Sequence, residues 1–292
     1  MIQQREIHKD TLNEILAYEM LWAKHGMTQS KVTKLFSEDT LPSAAIAKTT
    51  PEAGDFYEEL KLKIENYVTP RLDQVRININ DKLEYPTPLR NGSPLKFLYC
   101  RGNIDLLESK SVAISGSRNA SQEGISRAAN LAKGLVEEGY TVVSGLAKGI
   151  DTSAHLHSIK NKGNTIGILG TPIDCYYPKE NKELQDKIAQ EHLLVSHVPF
   201  YRYNKVDSFP ARSGYFPQRN KLIASLSSGI VVIEAKNKSG TVIQAREAIA
   251  QGKKLFILSS CLEAPSSEWA HDLVEKGKAI VVKELADVID NL

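Results

Sequence analysis

Cysteine is scarce in this chain: Cys100, Cys175 and Cys261 are the only three in 292 residues, far apart and with no CxxC pair. That excludes a disulfide framework and the paired-thiolate spacing of a zinc site, and it fits a reducing cytoplasm. Histidine offers no substitute. His155 and His157 are two apart on an expected helix and point to different faces, while His192 and His197 lack a companion at ligand spacing. Neither a metal nor a cofactor is expected. Long apolar runs are also missing: none approaches the roughly 18 residues of a spanning helix, and the opening MIQQREIHKDTLNEI has no apolar signal core. The expectation is a cytoplasmic protein with neither export nor membrane insertion. Net charge is small, +2 from 37 Lys and Arg against 35 Asp and Glu, so attraction to a polyanion must come from local clustering.

Catalytic signatures are absent as well. The turn after the first expected parallel strand reads GSRNAS (116–121) instead of GxGxxG, and the second strand ends in Ser144-Gly145 where a dinucleotide site wants an acid. There is no Walker loop and no GxSxG elbow. Paired carboxylates are missing too, since Asp151, Asp174 and Glu234 stand singly, and Asp151 precedes a helix, where capping is its default role. These absences predict a binding protein without enzymatic activity.

What the chain does have is a texture that changes near residue 110. Residues 9 to 68 carry helical periodicity: Leu12, Ile15, Leu16, Tyr18 and Leu21, a break at Gly26, a short helix from Thr28, and a helix from Pro51 with Phe56, Leu60, Ile64 and Val68 on one face. Pro70, Pro86, Pro88, Pro94 and Gly92 predict sparse regular structure over 69–105, with VRINI at 75–79 as an extended exception. Short apolar runs follow: VAIS at 112, TVVS at 141, TIGIL at 165, LLVSHV at 193, IVVIEA at 230, LFIL at 255 and AIVV at 279. Between most of them lie amphipathic segments of helix length, at 122–138, 151–161, 218–228 and 239–251. Such alternation predicts an α/β protein with an extended Rossmann-like, mostly parallel sheet covered by helices on both faces, plus a small N-terminal helical domain. Residues 1–84 are assigned to the helical domain and linker, and 85–292 to the Rossmann-like domain.

Ligands of such sheets gather beyond the carboxyl ends of the strands, where loops and helix N-termini present backbone amides. Those loops hold Gly116, Ser117 and Arg118; Ser144, Gly145 and Lys148; Gly170; and Ser239, Gly240 and Thr241. Glycine and hydroxyl residues let a backbone approach a phosphate, and the cations add charge, so an anion site is expected. One further stretch stands out: PFYRYNKVDSFPARSGYFPQRNK (199–221) holds six aromatic rings and five Lys or Arg against one acid. Rings interleaved with cations suit an unpaired nucleic-acid strand, whose bases stack while its phosphates meet charge. Tyr201, Tyr203, Phe209, Tyr215 and Phe216 are therefore base-stacking candidates, and Arg219, Asn220 and Lys221 phosphate contacts at the start of a helix.

The order and spacing of VAISGSR (112–118), VSGLAKGID (143–151) with Ala154-His155, TIGILG (165–170), Tyr177-Pro178, FPQRNKLIASL (216–226), VIEA (232–235) and SGT (239–241) resemble the DNA-processing protein A family, DprA or Smf. YPTPLRN (85–91) and FLYCRGN (97–103) are similar too. The resemblance implies a single-stranded DNA-binding protein that dimerises and hands the strand to a RecA-type recombinase in transformation. It implies DNA contacts at Gly116, Ser117, Arg118, Lys148, Arg219, Asn220 and Lys221, with Ser239 and Gly240 closing the pocket.

The sequence also departs from the family pattern. Lys148 and Lys221 stand where the family usually has arginine, which loses bidentate phosphate geometry. Ser196-His197 replaces Ser-Glu, Ser259-Ser260 replaces Pro-Gly, Gln244 replaces Thr, and no C-terminal winged helix is expected. These departures keep alternatives open: a DprA-like antitoxin or regulator paired with a cognate toxin in a defence system, or a sensor of nucleotide ligands. A phosphoribohydrolase of the wider superfamily fits less well, because Asn237–Gln244 lacks the glycine pair and the acid of PGGxGTxxE.

Overall fold

The computed structural model describes residues 9–24, 26–35, 41–49, 55–79, 89, 95 and 97–292. Pro51 and, Leu89 apart, the YPTPLRN segment lie outside the described residues. The N-terminal helices are α1 (Lys9–Ala23), α2 (Gln29–Leu35), α3 (Pro42–Thr49) and α4 (Asp55–Val68). Strands β1 (Arg76–Ile79), β2 (Phe97–Gly102) and β3 (Ser111–Ser115) follow, then α5 (Gln122–Glu137), β4 (Thr141–Ser144), α6 (Ile150–Lys160) and β5 (Thr165–Leu169). Next come α7 (Lys182–Glu191), β6 (Leu193–Ser196), a π-helical turn (Arg202–Val206), and the helices α8 (Phe209–Arg212) and α9 (Tyr215–Leu226). The chain continues through β7 (Gly229–Val232), α10 (Gly240–Ala250), β8 (Lys254–Leu258), α11 (Ser259–Leu262), α12 (Glu268–Glu275), β9 (Ile280–Val282) and α13 (Ala286–Ile289).

All nine strands form one sheet in the order β1-β2-β6-β5-β4-β3-β7-β8-β9. Pairings from β6 through β9 are parallel, and β1 and β2 add an antiparallel edge. Every expected apolar run is a strand. Each alternates its faces: Val112 and Ile114 pack with α5 and α6, while Ala113, Val143 and Ile166 pack with Leu222, Ile223 and Leu226 of α9. Helices therefore cover both faces, as the near-continuous apolar strands require. β1 falls in the VRINI segment expected to be extended, and β2 arises from the stretch where regular structure was expected to be sparse. Its prolines lie outside both strands, and an edge position tolerates such flanks.

The N-terminal helices dock on the sheet through one continuous apolar cluster. Tyr18 of α1 stacks on Phe97 of β2 at 4.1 Å, and its cluster extends to Leu194, Phe200, Tyr203 and Tyr215. Polar contacts complete the joint: the Tyr18 hydroxyl donates to the His197 carbonyl at 2.9 Å. Among the described residues no helix is long and apolar enough to cross a membrane.

Chain direction through the sheet sets the position of the cleft. From β3 the chain steps outward through β4, β5 and β6, then returns to lay β7 on the opposite side of β3 and continues to β8 and β9. The connections leaving β3 and β7 thus diverge, and a crevice opens between them at the carboxyl ends, the usual ligand position in open α/β sheets.

Candidate nucleic-acid interface

That crevice has a volume of about 410 Å³ and is lined by four parts of the chain, among them Ala147 and Asp151 from the β4–α6 connection. The turn after β3 supplies Gly116, Ser117, Arg118 and Asn119; the first half of α9 supplies Phe216, Pro217, Arg219 and Asn220; the end of the β7–α10 connection supplies Lys236 and Ser239 to Gln244 except Val242. Helix α10 begins here with Ser239 in the cap position, its hydroxyl making no capping bond. The exposed amides of its first turn carry the positive end of the helix dipole and suit an anion.

Arg219 sits deepest. The helix starts at Tyr215 rather than at Gln218, so Arg219 lies one turn inside it and is only 7% exposed. Its Nη1 stands 3.9 Å from Asp151 Oδ2, too far for a hydrogen bond, and its Nε is buried without a partner. Asp151 is not a helix cap: its carboxylate accepts from the Ala147 N–H at 3.3 Å and faces Arg219. Burial pushes the Asp151 carboxyl up against the pull of Arg219, and burial lowers Arg219 against the pull of Asp151, with Arg118 adding repulsion. Each charge is thus incompletely compensated. A phosphate oxygen at the free Nε would supply what Asp151 does not.

Two guanidinium groups lie near the Phe216 ring, with Arg118 Cζ 5.9 Å and Arg219 Cζ 6.0 Å from its centre. The arrangement presents a ring near two cations, one exposed and one buried. Further polar atoms around the same space are buried without partners: Asn220 Oδ1, Ser239 Oγ and Gln244 Nε2. Gln244 Oε1 is held by the Ser115 hydroxyl at 3.0 Å, which leaves the amide nitrogen free. Unsatisfied buried polar atoms cost free energy unless a ligand or water meets them, and four of them converge here.

The structure thus brings together Gly116, Ser117, Arg118, Phe216, Arg219, Asn220, Ser239, Gly240 and Thr241. Others from the expected set stand elsewhere. Ser144 is buried and donates to the Ile114 carbonyl at 2.6 Å. Gly145 lies behind Arg219: a Cβ there would stand 1.3 Å from Nη1, so only glycine leaves room for the guanidinium. Gly170 likewise makes room for the Phe216 ring. Lys148 is exposed and paired with Glu180 at 2.6 Å, and Lys221 lies 3.8 Å from Glu247.

The aromatic segment requires a larger correction. Tyr203 and Tyr215 are buried at 9% and 5% exposure, so neither offers a face to a base. Tyr201 packs edge-on to Tyr67 at 5.8 Å, and Phe209, 87% exposed, does not line the cleft. The cations are also engaged within the fold. Arg202 donates to Asp207 at 3.0 Å and to the Trp22 carbonyl at 2.7 Å, Arg212 lies over Tyr203, and Lys205 over Tyr67. The physical reason is Glu19 of α1, fully buried, which accepts from Tyr99 Oη at 2.7 Å, Phe200 N at 2.8 Å and Tyr201 N at 3.0 Å. A carboxylate from the N-terminal helices thus holds the start of the segment, and Phe200, Tyr203 and Tyr215 fill the joint.

Sequence reasoning missed Asn119, Lys236, Ile243 and Gln244 as cleft residues. The last two sit one turn into α10, and the position of that helix at the β3/β7 crevice was the signal that could have found them. Cys100 and Cys261 are buried thiols, and burial pushes Cys100 up to about 12, which leaves it unreactive. Among the described residues no group of three or more His, Cys, Asp or Glu could hold a metal ion.

An open, mostly parallel α/β sheet with helices on both faces and a cleft at its switch point defines a protein of the Rossmann-like class. Residues 76–292 match the model of the DNA recombination-mediator protein A family, and the chain belongs to that family. It is 39% identical over 184 residues to the DNA processing protein DprA of Streptococcus pneumoniae, covering 63% of this chain and 62% of that protein. It is 30% identical over 286 residues to DprA of Bacillus subtilis, covering 96% and 92%. The solved S. pneumoniae DprA structure superimposes with a TM-score of 0.77 at 30% identity, over 96% of this chain and 98% of that one. A Helicobacter pylori DNA processing protein A structure, solved for its single-stranded DNA binding mode, matches 75% of this chain and 95% of its own, with a TM-score of 0.61 and 29% identity.

Proposed function

We propose that this DprA-like protein binds single-stranded DNA without catalysis, seating a phosphate between Arg118, Arg219 and the N-terminus of α10 and stacking a base on Phe216. The observation that carries this reading is the convergence on one crevice of two guanidinium groups near a ring with four unpartnered buried polar atoms. The strand-binding description of the H. pylori relative supports it. Stacking contributes roughly 1–3 kcal/mol per base and is indifferent to sequence, so binding is expected to be sequence-tolerant.

Fluorescence anisotropy with labelled oligonucleotides tests the reading. Single-stranded DNA of mixed sequence should bind more tightly than the duplex, whose paired bases cannot reach Phe216, and added salt should weaken binding. A cleft of about 410 Å³ also suits a single nucleotide. A nucleoside monophosphate that bound as tightly as the oligonucleotide would therefore favour the ligand-sensor reading. Loading of a RecA-type recombinase onto the bound strand, by a homodimer, is the corresponding proposal for the whole protein, supported by family membership. Coelution with a neighbouring toxin instead of the recombinase would favour a defence role.

A further inference from the structure

Tyr177 lies in the connection from β5 to α7 and is 47% exposed. Its ring centre is 5.5 Å from that of Phe216, tilted by 50°. Rings at that distance are in direct contact, so no base enters between them, and the outer face of Tyr177 is the one left open. Phe216 reaches this position because Gly170, just beyond β5, has no side chain: a Cβ there would stand 2.6 Å from Phe216 Cδ1. The two rings make a step out of the cleft along the carboxyl edge of the sheet, from β3 toward β5.

The tether that fixes other tyrosines is missing at this one. Tyr176 donates its hydroxyl to Asp186 at 2.7 Å, Tyr215 to Asp207 at 2.7 Å and Tyr99 to Glu19 at 2.7 Å. The Tyr177 hydroxyl has no such partner among the described residues. Lys179, two residues further on and exposed, brings a cation to the same loop. A half-exposed ring continuous with the cleft, untethered and followed by a cation, is the combination that a backbone-tracking, base-stacking surface requires.

Resting on the reading that the cleft holds single-stranded DNA, we propose that Tyr177 is a second stacking platform. The strand leaves the cleft over Phe216 and lays its next base on the open face of Tyr177, with Lys179 near the following phosphate.

The test compares wild type, Tyr177→Ala and Tyr177→Phe with thymidylates of one and about sixteen nucleotides, the longer at the upper bound of an ordinary strand-binding site. Tyr177→Ala should weaken binding of the long strand by roughly 5- to 150-fold, the loss expected for one base–ring stack. It should leave binding of the single nucleotide, which occupies the cleft alone, unchanged, and the salt dependence of the long strand unchanged too, because the ring carries no charge. Tyr177→Phe should bind like wild type, since the ring face is the platform. Equal affinity of Tyr177→Ala and wild type for the long strand would overturn the proposal, and so would an equal loss for both lengths. Wild type that binds neither thymidylate would instead defeat the reading of the cleft itself.

Discussion

Arg219 shows how little of a side chain's role its charge alone conveys. It is buried, close to Asp151 but not bonded to it, and retains an Nε–H with no acceptor. Taking two charges out of water costs more than a 3.9 Å attraction returns unless further hydrogen bonds form. The site is therefore better satisfied with an anion than without one. Arg219→Ala would leave Asp151 buried and unopposed, at roughly 3–5 kcal/mol, and would confound folding with binding. Gly145→Ala displaces the same guanidinium without changing the net charge, at a similar cost to Asp151. The added methyl would fall 1.3 Å from the present position of Nη1, so the guanidinium must leave while the chain keeps its charge. Affinity for single-stranded DNA should drop at least tenfold with the far-ultraviolet circular dichroism unchanged; unchanged affinity would show that Arg219 does not need its observed position.

Among the secondary-structure elements, the first part of the segment 199–221, through Tyr215, is a joint with the N-terminal helices, and only its end, Phe216 to Asn220, reaches the cleft. Its composition invited the nucleic-acid reading because sequence shows how many rings and cations are present but not what they face. Glu19, 180 residues upstream, decides that by accepting from Phe200 N and Tyr201 N, and nothing local to the segment announces it. Burial raises the Glu19 carboxyl from 4.5 to about 7, against the hydrogen bonds from Tyr99, Tyr201 and Phe200 that favour its charge. A carboxyl whose folded value exceeds its unfolded one holds its proton more tightly in the folded state. Its stabilising contribution is complete below pH 4.5, shrinks as pH rises, and is gone above about 7. Glu19→Gln cannot ionise, so relative to wild type it should gain roughly 3 kcal/mol of stability as pH rises through that window and then level off. Parallel stability curves for the two proteins, measured by chemical denaturation across the range, would refute this.

At the scale of the whole molecule, the sheet was the most legible feature, because strands buried on both faces must be apolar along their length and helices between them must be amphipathic. The glycine and hydroxyl residues after β3 and before α10 were legible for a related reason: connections at a parallel-sheet edge need tight turns wherever they lie. Which of these turns share a cleft was not, since Lys148 and Arg118 follow neighbouring strands and look equivalent in sequence. Their side-chain contacts separate them. Arg118 lines the β3/β7 crevice, whereas Lys148 pairs with Glu180 while its neighbours Ala147 and Asp151 line the same cleft. Strand β2 escaped the sequence reading because it is inserted antiparallel between β1 and β6, outside the alternation of strands and helices that marks the parallel strands.

The salt dependence of single-stranded DNA affinity, compared between wild type and Arg118→Ala, tests the phosphate seat at the β3/β7 crevice. Arg118 is exposed and lines the cleft, so its removal should spare the fold. The slope of log K against log salt should fall by about 0.7, the share of one phosphate contact on a single strand, with weaker binding to every sequence tested. Identical slopes and affinities for the two proteins would contradict a phosphate seat at the β3/β7 crevice.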